Sequence, residues 1–399
     1  MMKKPALFVL AAVASLAPLA SCEGGEIHTA WAIGVDVDQG PQNEHVLTSA
    51  MKLLSTAVPN ALDGVLGDFN GGVSLTLGAK EDAVGLPDAE SSWRFENFKR
   101  EQYDAIYAQV RDGEITIPSS TTDSGAELTT FLVANGYEQA EAEAIAEATV
   151  PATETSAAYR AVAPVARAEA PAPLTVENVK IAMMTDTGTI DDKSFNQGTW
   201  EAIQLWAQKN NLSESQYKYT KPASATTADY QQAISDAIAD GANVIVCPGY
   251  LFTESYQNLV PQNPDVYFIG VDFTQNNIAD CPNAINLNFK EQEAGFFAGY
   301  AAAMEGLKSV GFMGGQAIPA PVRYGIGFVA GVAYANHVEG TECSIAADHI
   351  WYCGTFNSTP NTIVPRIQGW YNEGVEAVFA AAGQAGNDVF TACDNYTRG

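Results

Sequence analysis

Between residues 177 and 399, short apolar runs alternate with segments of helical spacing, and this alternation leaves few architectures open. The runs lie at 179–184, 242–247, 266–271, 310–313, 349–352 and 377–381. Segments fitting amphipathic helices separate them, at 194–210, 226–240, 290–306, 321–336 and 359–373. In the first of these, Trp200, Ile203 and Trp206 share one face. Apolar strands without polar alternation, each followed by a helix, predict parallel sheets covered on both faces. A shorter module, 27–118, starts the same way. It predicts a strand at 30–35, a largely helical stretch at 45–66, a strand at 73–77 and a helix at 101–110. With only two clear strands it cannot close a fold alone, so the two modules are read as parts of one architecture.

Residues 119–176 separate the modules and read as a linker. The segment opens on Ser119, Ser120, Thr121 and Thr122 and closes on an Ala/Pro-rich stretch at 161–173. An Ala/Glu-rich part between them, 126–148, has the composition of a short helix.

The N-terminus reads as an export signal, residues 1–22. Lys3 and Lys4 supply positive charge, and an apolar stretch at 6–18 is too short to span a bilayer. Leu19, Ala20, Ser21 and Cys22 then resemble a bacterial lipobox, in which cleavage before the cysteine leaves its sulfur to carry a diacylglycerol. An ordinary secretory signal with an incidental cysteine is the other reading. The formal net charge is −27, from 20 Lys+Arg against 47 Asp+Glu. Such a surface repels nucleic-acid polymers and anionic headgroups, so membrane attachment would need the covalent anchor. Plain solubility explains the charge equally well. The expected location is the outer face of the cell membrane.

Five cysteines remain, Cys247, Cys281, Cys343, Cys353 and Cys393, and an odd number leaves at least one unpaired. Cys343 and Cys353 flank a strand-like stretch and could pair, whereas Cys247 reads as a buried thiol. With four histidines and no CxxC or HExxH pattern, neither a metal site nor a cofactor is expected.

In open α/β sheets, ligands sit beyond the carboxyl ends of the strands. Asp36, Asp186 and Asp272 follow predicted strands there, and Gly383 follows another. Each aspartate could accept hydrogen bonds from vicinal hydroxyls or heterocyclic N–H groups, or could simply cap a helix. Ser194, Phe195 and Asn196 open a predicted helix. Ser194 suits its N-cap, and Phe195 among polar neighbours suits either a ring-stacking role or a hydrophobic staple. No GxSxG, P-loop or strand–GxGxxG–helix pattern occurs, so an enzyme is not expected; a nucleoside hydrolase would lack its metal constellation.

These stretches resemble the basic membrane protein family of bacterial lipoproteins, whose best-understood members are purine nucleoside receptors of ABC importers. Asp191-Asp192-Lys193-Ser194-Phe195-Asn196-Gln197 and Ile33-Gly34-Val35-Asp36-Val37-Asp38-Gln39 carry the resemblance most specifically. Lys290-Glu291-Gln292-Glu293-Ala294, residues 325–331 and Ala381-Ala382-Gly383 support it, as do Val46-Leu47-Thr48-Ser49 with Lys52. The resemblance implies a type I periplasmic-binding-protein fold, two Rossmann-like α/β lobes hinged around a purine nucleoside. It implies Phe195 stacked on the purine and Asp272 on the base edge. Asp186, Asn196, Asp36 and Lys52 would hold the ribose, and Gly383 would admit the backbone closely. Phe379 is the nearest candidate for a second stacking aromatic, although Ala380 and Ala381 stand beside it. Implied partners are an ABC transporter permease and the membrane, through the lipid on Cys22; a monomer is expected.

The order of the pieces departs from the family. The stretch around Asp36 belongs to the family's C-terminal third, yet here it comes first, as in a circular permutation. Lobe one is then expected from about 177–285 with 44–72, and lobe two from about 286–399 with 27–40. Anchoring through Cys22 would hold lobe two nearer the membrane. The rival functional reading is a surface lipoprotein that binds another small metabolite or host macromolecules.

Overall fold

The computed structural model describes residues 30–151, 170–186, 188–273, 278 and 281–398. The expected signal, with Cys22, lies outside the described residues. The first part of the chain forms β1 (Trp31–Asp36), β2 (Val46–Lys52), α1 (Leu54–Val65), β3 (Val73–Leu77), β4 (Val84–Gly85) and α2 (Arg100–Arg111). Then come α3 (Ala126–Ala134), α4 (Gln139–Thr149), β5 (Ile181–Met184), α5 (Phe195–Lys209), β6 (Tyr217–Thr220) and α6 (Thr227–Ala239). Next are β7 (Val244–Pro248), α7 (Thr253–Leu259), β8 (Tyr267–Val271), β9 (Ala284–Phe289) and α8 (Glu291–Glu305). The last elements are β10 (Val310–Gly314), α9 (Pro319–Glu339), β11 (Ile350–Tyr352), α10 (Pro360–Asn372), β12 (Ala377–Ala381) and α11 (Asn387–Arg398).

Two sheets result, one per lobe. Lobe one has the order β3-β9-β8-β7-β5-β6, and lobe two has β11-β10-β12-β1-β2-β4. All neighbours run parallel except the β2–β4 pair. Central strands such as β5, β7, β8 and β12 are buried along their whole length, which is why their sequences are uniformly apolar. This is the two-lobed parallel α/β architecture that the alternation predicts. Among the described residues, the chain passes between the lobes at 52–54, 77–79 and 289–291.

Residues 46–52, expected to be helical and to belong to lobe one, instead form β2 of the lobe-two sheet, paired with β1. Val46–Ala50 are all buried, so the strand carries no polar alternation to distinguish it from the helix that follows. Only α1 and β3 from this region join lobe one. There α1 packs on α5, and Trp206 Nε1 donates to Asp63 Oδ1 at 2.7 Å.

Part of the expected linker is built structure. Leu128 and Leu132 of α3, with Ile145 and Ala146 of α4, are buried in the same core as α8 and α9. The Tyr352 hydroxyl donates to Thr149 O at 2.6 Å, fastening α4 to β11. Apolar residues at helical spacing, rather than the Ala/Pro composition around them, decided the outcome.

Helices α8 and α9 approach backbone to backbone. A Cβ on Gly299 would lie 2.1 Å from Phe328 O, and one on Gly327 2.0 Å from Gln292 O. This contact fixes how α9 presents its first turn to the other lobe. Cys343 and Cys353, expected as a possible disulfide, are both free. They lie at opposite ends of β10: Ser344 bridges Ser309, while Cys353 N donates to Gly314 O. At ~3.3 Å per residue that spacing exceeds the reach of a disulfide. Cys247 is buried, as its apolar run predicts.

Candidate functional site

The carboxyl ends of both sheets face an open cleft between the lobes. Two aspartates reach it from strand ends in the same unusual backbone conformation. Asp36 ends β1 with φ 64°, and Asp272 follows β8 with φ 62°. Few residues other than glycine adopt the left-handed region, and aspartate is among those that tolerate it best. A strained backbone turn held at two facing strand ends is a feature concentrated at ligand sites.

Asp36 Oδ2 accepts the Ser194 hydroxyl at 2.7 Å, and its Oδ1 accepts the Tyr324 hydroxyl at 3.3 Å. Lys52, at the end of β2, places Nζ against Asp272 Oδ2 of the other lobe, 3.2 Å from Glu291 Oε1 and 3.9 Å from Asp36 Oδ1. The same ammonium lies 5.1 Å from the ring centre of Phe195 and 5.5 Å from that of Tyr324. Arg323 Nε holds the other Glu291 oxygen at 2.5 Å. Asp272 Oδ1 is buried and has no hydrogen-bond partner among the described residues.

Burial dominates the protonation of this cluster, and charge pairing opposes it. Burial pushes the Asp272 carboxyl up to about 6 in spite of Lys52, with Glu291 and Asp36 adding to the rise. Burial also raises Asp36, against the pull of Lys52 and Ser194. For Lys52 burial works against the charge, but Asp272, Glu291 and Asp36 together outweigh it and hold the ammonium above its usual range. For Glu291 burial is outweighed by Arg323 and Lys52, so its carboxyl lies below the usual range.

On the lobe-one side, Asp192 organises the start of α5. Its carboxylate accepts the amides of Ser194, Asn196 and Gln197 at 2.9, 3.1 and 3.1 Å, and Asn196 Nδ2 at 2.8 Å. The capping expected of Ser194 is therefore done by Asp192; Ser194 keeps the N-cap position, but its hydroxyl crosses to Asp36. Asn196 Nδ2 also donates to Asp186 Oδ1 at 2.9 Å.

Of the residues singled out in the sequence, Asp36, Lys52, Asp186, Phe195, Asn196, Asp272 and Gly383 all line the cleft. Ser194 lies just behind it. Phe379 does not reach it. That ring is buried between Phe312, Tyr324 and Phe328 at 5.5, 5.7 and 5.2 Å, because its position on β12 faces the helices rather than the strand end. The aromatics that lobe two does present are Tyr324, on α9, and Phe356, packed beside Gly383. Phe356 shares one sequence signal with Phe195, a phenylalanine flanked on both sides by polar residues. Tyr324 and Glu291 were also missed, since nothing local marks a helix-borne side chain as facing a cleft.

The profile of a family described as ABC transporter substrate-binding protein PnrA-like (Bmp) matches residues 179–397, more than half of the chain. The chain belongs to the Bmp family. Its members are substrate-binding proteins of ABC transporters rather than enzymes. The CD4+ T-cell-stimulating antigen of Listeria monocytogenes is 30% identical over 216 residues, covering 54% of this chain and 57% of that protein. The ABC transporter nucleoside-binding protein BmpA of Lactococcus lactis is 30% identical over 217 residues, 54% of this chain and 58% of that one. Basic membrane protein B of Borreliella burgdorferi is 26% identical over 223 residues, 55% and 62% of the two chains. The match thus spans less than two thirds of each relative. Among solved structures, an ABC transporter solute-binding protein from Aeropyrum pernix aligns with a TM-score of 0.47 at 21% identity, over 55% of this chain and 59% of that one. The Bmp match runs from the approach to β5 into α11 and so includes Phe195, Asp272, Glu291, Phe356 and Gly383. Asp36 and Lys52 lie outside it, on strands that complete the lobe-two sheet beside β12. No helix among the described residues is long and apolar enough to cross a membrane.

Proposed function

We propose that this chain is the nucleoside-binding component of an ABC importer, held to the outer face of the membrane by a lipid on Cys22, and that it delivers its ligand to a permease by closing two lobes. The observation that carries the ligand assignment is the convergence in one cleft of Phe195 from lobe one and Phe356 from lobe two with the acceptors Asp36, Asp186 and Asp272. A flat heterocycle suits paired aromatic faces, and a ribose suits strand-end carboxylates beside an ammonium. The second stacking partner in this reading is Phe356, not Phe379. Lobe closure is the change a permease would sense. A calorimetric panel of nucleosides, free bases, sugars and amino acids tests the assignment. It is expected to give micromolar or tighter binding for a purine nucleoside. Heat with a sugar or an amino acid alone would move the ligand class elsewhere.

We propose further that the chain order is a circular permutation of the family's. Support comes from β1, which lies between β12 and β2, and from α11, which packs against β1 after β12. A chain with residues 30–118 moved behind residue 398 is expected to fold to the same two sheets and bind the same ligand. Failure to fold would count against the permutation.

A further inference from the structure

In open α/β sheets, anions commonly bind where a helix starts beyond a strand end, because its first amide hydrogens lack intrahelical acceptors. Helices α5 and α9 both bring first-turn residues to the cleft lining. Each is closed to an anion by a different device.

At α9 the device is covalent. Residues 318–321 all line the cleft, and Pro319 and Pro321 have no amide hydrogen to offer. The Ile318 amide already donates to Gln316 O at 2.8 Å. Of the usual orphan donors, the Ala320 amide remains. At α5 the device is a built-in carboxylate: Asp192 takes three amides near the helix start and brings negative charge to the place where a bound anion would sit. The cations give no compensation. The lining holds Asp36, Asp186, Asp192 and Asp272 against Lys52, and Lys52 is already surrounded by Asp272, Glu291 and Asp36. An uncharged ligand meets acceptors here, including the unpartnered Asp272 Oδ1. A phosphate, carrying about two negative charges at neutral pH, meets like charge, and the starts of α5 and α9 offer it little compensation.

We infer that the cleft is built to exclude anions: it takes an uncharged or cationic polar molecule and rejects the phosphorylated counterpart, with Pro319, Pro321 and Asp192 as specificity-determining residues. The inference rests on this cleft being the ligand site, but not on the ligand being a nucleoside.

The test compares a purine nucleoside with its 5′-monophosphate by calorimetry, in the wild type, in Pro319→Ala/Pro321→Ala and in Asp192→Asn. Thermal melts check that each variant folds; alanine favours the first turn of a helix, so the double variant is the safer one. The monophosphate is expected to bind the wild type about 100-fold more weakly than the nucleoside, and the double variant is expected to narrow that gap about tenfold. A wild-type gap of about threefold or less would overturn the inference, as would a gap that neither the double variant nor Asp192→Asn narrows. Inorganic phosphate separates this outcome from failure of the nucleoside assignment. If no nucleoside binds, that assignment fails, and phosphate alone then decides. Millimolar phosphate giving no heat with the wild type but heat with the double variant upholds the exclusion. Heat with the wild type, or with neither, rejects it.

Discussion

Ser194 and Asp36, 158 positions apart in sequence, are joined by a 2.7 Å hydrogen bond that spans the cleft from one lobe to the other. The Ser194 hydroxyl starts α5, and the Asp36 carboxylate ends β1. Three further contacts cross nearby: Gln39 Nε2 and Gln42 Nε2 donate to Lys193 O at 2.6 and 3.2 Å, and Asn387 Nδ2 to Asp192 O at 3.4 Å. The start of α5 is thus both a wall of the cleft and the place where lobe two is held.

Ser194→Ala removes the crossing bond while leaving the Asp192 cap intact. A hydrogen bond to a charged group contributes about 1.5–3 kcal/mol, so ligand affinity is expected to fall roughly tenfold or more. The urea midpoint should move little by comparison. Calorimetry and a urea melt on one preparation check both. A large loss of stability with unchanged affinity would show that the bond serves folding rather than closure.

Lys52→Met leaves Asp272, Asp36 and Glu291 buried around an apolar side chain, with Arg323 as the remaining cation beside Glu291. Breaking a buried charge pair from one side costs about 3–5 kcal/mol, and a urea melt should show a loss of that order. Adding Asp272→Asn to Lys52→Met should recover part of the loss. No recovery would assign the cost to packing instead of charge.

The Asp272 carboxyl, raised by burial from 3.8 to about 6, gives the protein a pH dependence with a definite sign. Between these values the folded protein holds a proton that the unfolded chain has released. The stability this group contributes is therefore present at low pH and lost as pH rises through about 6. Ligand binding should run the other way. A ligand that donates to Oδ1 favours the carboxylate, so affinity should weaken as pH falls through about 6, with proton release on binding near that pH. Titrations in buffers of different ionisation enthalpy measure the release. Asp272→Asn should abolish it.

Removing α3 and α4 tests whether that segment is structure or spacer. Leu128, Leu132, Ile145 and Ala146 are buried against the lobe-two core, so their loss should cost roughly 5 kcal/mol or more in a urea melt. A spacer of equal length with no apolar residues would not restore it. An unchanged midpoint would return the segment to the status of a linker.

The parts of the fold legible in the sequence are those whose burial is simple. Strands β5, β7, β8, β10 and β12 are apolar from end to end. The edge strand β6 was not visible, because Lys218 and Tyr219 face solvent and leave no apolar run. Strand β9 was hidden by Asn286, a polar residue that is buried. Strand β2 merged with α1 for lack of a turn signal between Lys52 and Leu54. At the site, the strand-end rule located Asp36, Asp186 and Asp272 because the carboxyl ends of both sheets open on the same cleft. Tyr324 and Glu291 sit on helices, and which side of a helix meets the opposite lobe is decided by the packing of α8 on α9. Phe379 was misplaced by proximity in sequence: it packs on Phe312, Tyr324 and Phe328, and the residue of the same face that reaches the cleft is Ala381, two positions nearer the strand end.

The central claim is that one cleft, bounded by Phe195 and Asp36 from opposite lobes, holds a nucleoside. The most direct measurement is a calorimetric titration of a purine nucleoside into the wild type, Phe195→Ala and Asp36→Ala. Micromolar or tighter binding by the wild type is predicted, weakened at least tenfold by either substitution, since a stacked ring and a buried charged acceptor each contribute about 1.5 kcal/mol or more. Nucleoside binding that survives both substitutions unchanged would contradict the site, and absence of binding by the wild type would contradict the ligand.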